Sequence, residues 1–301
     1  MHWLLSWRRL KSLGVVGLNA RNAGGVMGHN PRAAFPLVDD KILMWELCRR
    51  VGIPAPETRA IFAAHGDLRH LEESLAAAPD GVLKPARGAG GRGVLVLLGE
   101  APGGYRRAGG AVLSLAAVRR HAADILSGLH SLGARPDRAI LQQRVGVHPV
   151  FAPVCYAGTP DVRVLVYRGV PAMAMLRLPT QESAGRANLH QGGVGVGVAL
   201  ATGTTTRAVW RDRRVDRHPD TGAPLVGLTV PDWPGVLALA TRAARATGLG
   251  YLGADVVLDP ERGPLLLEAN ARPGLAIQIA NGAGLAKVFA QIDGRNASEL
   301  P

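Results

Sequence analysis

Between Gly253 and Gly274 the chain reads Gly-Ala-Asp-Val-Val-Leu-Asp-Pro-Glu-Arg-Gly-Pro-Leu-Leu-Leu-Glu-Ala-Asn-Ala-Arg-Pro-Gly, a run that sets acids, an amide and a guanidinium among apolar residues. Val256 to Leu258 and Pro264 to Leu267 predict a hairpin with its turn near Glu261. Antiparallel pairing about that turn brings Asp255 opposite the region of Leu267 and Glu268, and period-two alternation puts Glu268 and Asn270 on one face. Two carboxylates plus an amide oxygen, with no His or Cys among them, suit a hard cation such as Mg²⁺ held partly through substrate phosphates. Arg272 would stand beside the anion. The blander reading, two exposed acids at a hairpin end, is disfavoured because both adjoin apolar strands.

A second hairpin turns at Arg168-Gly169 and places Arg163 and Arg177 near the same end, where two guanidinium forks could grip a carboxylate or phosphoryl group. Taken alone, an exposed basic strand edge explains them as well. Gly88-Ala-Gly-Gly-Arg-Gly93 matches G-x-G-x-x-G, yet Val94 to Leu98 reads as a strand where a dinucleotide site needs a helix, and no Gly-Lys-Ser/Thr follows for a P-loop. What remains is a glycine-rich hairpin tip able to lay backbone N–H groups over phosphates, with Lys84 just before it. Asn188-Leu-His-Gln-Gly-Gly193 offers an amide and an imidazole near backbone that can be approached closely. His190 and His218 lack the spacing of a zinc site.

These residues need elements to carry them. Asn19 to Pro36, rich in Gly, Asn and Pro, reads as an extended connector. Asp39 or Asp40 can cap a helix bearing Leu43, Leu47 and Val51, stopped by Gly52 and Pro54. Asp67 can cap a second, with Leu68, Leu71 and Leu75 at helical spacing, ahead of a strand at Val82 to Lys84. Gly99 to Gly110 reads as a loop, and Ser114 opens a helix with Leu115, Val118, Ala122, Ile125 and Leu129 on one side. Strands are expected at Ala139 to Val145, Val162 to Tyr167, Val170 to Leu178 and Val194 to Leu200, followed by a helix from Asp232 and Pro234 to Gly248. Helices mixed with hairpin-connected strands argue α+β.

Composition bounds the rest. A chain of 301 residues, 47% hydrophobic, can bury the cores of two or three compact units. A formal net charge of +12 favours anionic partners such as nucleotides, acidic peptides, nucleic acid or anionic lipid. Only Cys48 and Cys155 are present, so no disulfide framework is expected and a reducing cytoplasm is the default. The charges of Met1 to Leu10 follow the apolar residues, the wrong order for a secretory signal, and no later run approaches a membrane span. Trp3, Trp7, Arg8, Arg9 and Lys11 read better as a helix packed on the body than as a membrane-surface helix.

Taken in order, Val38-Asp-Asp-Lys41, Leu83-Lys84-Pro85, Gly88 to Gly93, Asp161-Val-Arg163, Arg177-Leu-Pro179, Asn188 to Gly193, Asp255 and Glu268-Ala-Asn270-Ala-Arg-Pro-Gly274 resemble the ATP-grasp ligases, especially the RimK-type and alpha-L-glutamate ligase-like proteins. The resemblance covers roughly Lys41 to Gly284. It implies an α+β ATP-grasp fold with nucleotide held between two subdomains: residues 37–145 with a glycine-rich lid, and 146–301 with the magnesium site, after an N-terminal segment 1–36. It implies that Lys41 and Lys84 contact ATP phosphates, that Gly88, Gly90, Gly91 and Gly93 close over them, and that Gln142, Gln143 and Val145 line the adenine hinge. Gln143 stands where the family usually has a carboxylate. Asp255, Glu268 and Asn270 match magnesium ligands, and Arg163, Arg177, Asn188 and Arg272 match phosphate or reacting-group contacts. The full N-terminal α/β domain usual before the first lysine is expected to be absent or reduced, because only 40 residues precede Lys41.

The activity so implied is amide or peptide bond formation between a carboxylate and an amino acid or other amine, through an acyl phosphate and with release of ADP. An acidic peptide or protein is compatible with the charge as acceptor, and a homo-oligomer is compatible with the layout. Two other readings compete. A basic nucleic-acid-binding protein fits the charge, but aromatics at 4% give no evident stacking platform. A catalytically inactive ATP-binding regulatory module is opposed by the retained acids and lysines.

Overall fold

Asp40 lies just before helix α1 (Lys41–Val51), and its carboxylate accepts from the backbone N–H of Ile42 at 3.0 Å, closing the first turn as a capping acid does. Ser114 and Asp232 open two later helices in the same way in the computed structural model, which describes residues 8–294 apart from Ala89 and Leu132. Trp3 and Trp7 lie outside the described residues. The chain divides into two units: Asp39–Glu46 with Ala55–Val145, and the chain up to Val38 with Leu47–Pro54 and everything from Gly146 onward.

The first unit carries β1 (Thr58–Phe62), α2 (Leu71–Ala77), β2 (Asp80–Pro85), β3 (Leu95–Ala101), β4 (Gly104–Arg107), β5 (Val112–Leu113), α3 (Leu115–Leu126) and β6 (Ala139–Gln142). Its antiparallel sheet has the order β1-β6-β2-β3-β4-β5. Leu71, Leu75, Val118 and Ile125 from the helices pack with Leu83, Leu97 and Leu141 from the strands. Ser114 caps α3 by accepting from Ala117 N–H at 3.2 Å. Leu129, expected on the face of this helix, falls beyond its end and is exposed. Asp67 does not cap α2; its carboxylate takes the N–H groups of Ala63 and Ala64, at 2.8 and 2.9 Å, and a 3₁₀ stretch (His65–His70) precedes the helix. Gly99 to Gly110, read as a loop, contains the end of β3 and all of β4, because Tyr105 is drawn into the core.

The second unit carries β7 (Asp161–Tyr167), β8 (Val170–Leu178), β9 (Val194–Val198), β10 (Thr205–Trp210), β11 (Arg213–Val215), α4 (Trp233–Thr247), β12 (Tyr251–Asp259), β13 (Gly263–Asn270), α5 (Ala276–Asn281) and α6 (Ala286–Asp293). Its sheet runs β11-β10-β9-β8-β7-β12-β13, every neighbouring pair antiparallel. Helix α4 starts on the carboxylate of Asp232, which accepts from Gly235 N–H at 3.2 Å, and ends at Gly248 with φ +70°. Leu165, Met175, Tyr251, Ile277 and Leu285 lie in the core of this unit.

The stretch from Asn19 to Pro36 is not extended. It winds through helical turns at Leu18–Ala20, Arg21–Met27, Arg32–Ala34 and Phe35–Asp39. The cause is distant in sequence. Asn30 exchanges hydrogen bonds with the backbone of Tyr251 at 2.7 and 2.8 Å and donates to the carbonyl of Ala271 at 3.0 Å. Arg21 donates to the carbonyl of Pro273 at 2.9 Å, and a Cβ at Gly25 would come within 3.2 Å of the Tyr251 ring. Among the described residues, no helix is long and apolar enough to cross a membrane.

Candidate functional site

The hairpin of β12 and β13 has the register that its composition predicts: Asp255 pairs with Glu268 and Gly253 with Asn270, with a bulge after Asp255. On its other side β12 pairs with β7, so that Asp255 faces Arg163. In the next strand over, β8, Arg177 pairs with Asp161 rather than with Arg163. The side chains of these neighbouring strands interlock. Arg163 grips Asp255 with both ends of its fork, Nε to Oδ1 and Nη2 to Oδ2, each at 2.7 Å. Arg177 donates from Nε to Asp161 and from Nη2 to Asp255, the latter at 2.8 Å. Burial opposes ionisation of Asp255, but Arg163 and Arg177 together hold its carboxyl below the usual range. At Asp161 burial wins over the pull of Arg177, with the charge of Asp255 adding to it, and pushes the carboxyl up to about 6.

This cluster changes how the two arginines are read. The family resemblance sets them against a phosphate or reacting group; in the structure they are first the counter-ions of two enclosed carboxylates. Each guanidinium still has N–H donors beyond those bonds, since arginine carries five. The same geometry bears on the magnesium set. Asp255, Glu268 and Asn270 offer carboxylate and amide oxygens, Asp255 and Glu268 are cross-strand partners, and Nδ2 of Asn270 donates to Oδ2 of Asp255 at 3.4 Å, which sets the amide beside the carboxylate. Oδ1 of Asp255 receives one arginine bond, which leaves an acceptor site. Glu268 and Asn270 are half-buried, so both are reachable. The residues therefore fit a hard divalent cation.

In the other unit, Lys84 sits on β2, buried, and Lys41 opens α1 with its ammonium 2.8 Å from the carbonyl of Gly88. The glycine-rich segment follows directly, with Gly90, Gly91 and Gly93 at φ +64°, +72° and +71°, conformations that favour glycine. Its end is tied down: Nε2 of His121 lies 2.9 Å from the carbonyl oxygen of Gly93. Gln142 is buried and its amide reaches the carbonyl of Pro56 at 3.4 Å. Gln143 pairs with Glu57 twice, donating from its backbone at 2.8 Å and accepting at its side-chain oxygen at 3.3 Å. Val145 is buried. Each unit thus holds one part of the predicted residue set.

A model of the family described as sugar-transfer associated ATP-grasp matches residues 21–294. The chain belongs to that family. Two antiparallel sheets dressed with helices make up its α+β ATP-grasp fold. Relatives include the probable alpha-L-glutamate ligase of Pseudoalteromonas translucida (strain TAC 125), 28% identical over 91% of this chain and 69% of that protein. A probable alpha-L-glutamate ligase of Parasynechococcus marenigrum (strain WH8102) is 29% identical over 84% of this chain but only 40% of its own length. Among solved structures, a RimK domain protein ATP-grasp from Sphaerobacter thermophilus DSM 20745 is similar over 87% of this chain and 70% of that chain, at 17% identity and a TM-score of 0.49.

Two further residues of this ATP-grasp chain match reacting-group contacts by resemblance. Arg272 is exposed and stacks on Phe35, its guanidinium carbon 4.9 Å from the ring centroid, while its backbone carbonyl accepts from Arg21 at 3.2 Å. Asn188 caps the turn Leu189–Gln191, its side-chain oxygen accepting from His190 N–H at 3.0 Å. Three residues that sequence reasoning leaves without a role bear on the site. Asp161 holds Arg177, while Arg21 and Asn30 brace the backbone from Ala271 to Pro273. Alternation could have found Asp161, which shares a sheet face with Arg163. No local pattern marks Arg21 or Asn30.

Proposed function

We propose that this ATP-grasp chain is an ADP-forming carboxylate–amine ligase. The observation that carries the reading is the β12–β13 register, which sets Asp255 across from Glu268, with Asn270 against Asp255, beside two enclosed guanidinium groups. A carboxylate oxygen of the substrate attacks the terminal phosphorus of ATP, ADP leaves, and the acyl carbon is then attacked by an amine with loss of phosphate. Asp255, Glu268 and Asn270 would hold magnesium, which when bound offsets triphosphate charge. Lys41, Lys84 and the N–H groups of the Gly88–Gly93 segment would hold the phosphates, and the remaining N–H donors of Arg163 and Arg177, with Arg272, would stabilise the acyl phosphate and the oxyanion. Gln142, Gln143 and Val145 would line the adenine. The positive net charge supports an anionic acceptor, and the names of the relatives make glutamate the first amine to try, with a peptide or protein carboxylate as its partner.

The test is a mass-spectrometric screen of ATP, candidate carboxylates and amines with the purified chain. An amide product accompanied by ADP is expected, and a substrate carboxylate labelled with ¹⁸O should pass one label to inorganic phosphate. Label found in AMP would replace the acyl phosphate by an adenylate. Amide formed without cleavage of any nucleotide would end the ligase reading.

A further inference from the structure

Asp161 takes no part in the reaction just described, yet it is only 5% exposed and lies at the start of β7 among charges. It stands two residues before Arg163, hence on the same face, and Arg177 is its cross-strand partner. Arg177 is shared: its Nε serves Asp161 and its Nη2 serves Asp255. Arg163 instead gives both Nε and Nη2 to Asp255. Two aspartates and two arginines cancel in charge, which is what permits them to be enclosed together. A divalent cation drawn to Asp255 and Glu268 upsets that balance, because it competes for Asp255 and repels both guanidinium groups at short range in a medium of low dielectric.

We propose that Asp161 is a positioning residue that keeps Arg177 in place while Asp255 shares its charge with a magnesium ion. The inference rests on the ligase reading for its purpose and on the Asp161–Arg177–Asp255 geometry for its content. Without the Asp161 carboxylate, Arg177 has Asp255 as its remaining counter-ion in the cluster, so guanidinium and cation compete for one carboxylate. Removing Arg177 as well ends that competition and restores the cancellation of charge.

The experiment titrates Mg²⁺ calorimetrically into the full chain premixed with the non-hydrolysable ATP analogue AMPPNP. It compares wild type, Asp161→Asn and the double variant Asp161→Asn with Arg177→Gln, each also followed by thermal melting. Asp161→Asn is expected to weaken Mg²⁺ binding by tenfold or more, and the double variant to return within threefold of wild type. A single variant that unfolds while the double variant stays folded and binds Mg²⁺ supports the proposal equally. Unchanged binding in Asp161→Asn overturns the proposal. So does equal weakening in both variants, which would make Asp161 a ligand of the ion itself, and so does unfolding of both, which would assign it to the sheet. A wild-type chain that binds Mg²⁺ with AMPPNP but joins no carboxylate to any amine refutes the ligase reading and leaves the titration result standing.

Discussion

Asp40 in one unit and Asp255 in the other are both enclosed carboxylates, 1% and 2% exposed, and each is paired with two arginines. They differ in where those arginines end. The side chains of Arg87 and Arg138 are 60% and 33% exposed, so the cations around Asp40 keep contact with water while the acid also caps α1. Arg163 and Arg177 are 13% and 11% exposed, so around Asp255 the cations are enclosed along with the acid. An acid with solvated partners serves as an anchor. An acid whose partners are also desolvated forms a poised cluster, costly to leave unbalanced and strongly felt by any ion or phosphate nearby.

The largest effect expected from this contrast is catalytic. Glu268→Ala should lower ATP turnover by about 10²-fold or more, the scale of the several kcal/mol a bound divalent ion contributes, with circular dichroism unchanged. A folded variant that consumes ATP at the wild-type rate would remove the cation site from the poised side. Next come the two aspartates themselves. Asp255→Ala should cost about 3–5 kcal/mol in denaturant unfolding, because it strands the enclosed Arg163 guanidinium and leaves Arg177 with Asp161 alone. Asp40→Ala should cost about 1–3 kcal/mol, a lost cap and lost hydrogen bonds, since its arginines relax into water. Equal losses would break the comparison.

Acid titration sharpens it further. Burial opposes ionisation of Asp40, yet Arg87, Arg138 and the amides of Ile42 and Leu43 hold its carboxyl below its ordinary 3.8. A depressed folded value means that the stability from this group is fully present above pH 3.8 and is lost as pH falls below it, through the folded value. Asp40→Asn should therefore flatten the acid limb of stability against pH in that range and leave the limb near neutrality unchanged. A variant as acid-labile as wild type would deny Asp40 its anchoring role. The smallest effect on turnover should come from Gly93, at φ +71° and with space for an added Cβ taken by His130, 2.6 Å away. Gly93→Ala should cost about 1–2 kcal/mol from the left-handed conformation alone and more from the shift forced on His130, and under the proposed ligase reading it should raise the KM for ATP severalfold. Wild-type KM and stability together would leave this segment outside nucleotide binding.

Much of this was legible in the residues themselves. Asp40, Ser114 and Asp232 begin helices, and Gly248 ends one, because a capping carboxylate or hydroxyl and a left-handed glycine act within three or four residues of themselves. Asp255 comes opposite the region of Leu267 and Glu268 because a hairpin turn fixes register and alternation fixes the face, both one-dimensional properties of the chain, while the bulge after Asp255 selects Glu268 as its partner. The order of lysines, glycines, arginines and acids carried the family resemblance for the same reason.

Only tertiary structure decided the surroundings of those residues. A bulge between Leu165 and Val166 shifts the β7–β8 register, and Arg177 then meets Asp161 across the strands while both arginines close on Asp255. The glycine-rich stretch before Pro36 became helical because Asn30 finds Tyr251, 221 residues away, and Arg21 finds Pro273, 252 residues away. Hydrogen bonds over such separations leave no periodicity in the sequence. Their partners are chosen by the packing of strands and helices, and that same packing removes most water from one pair of arginines and leaves the other pair in contact with it.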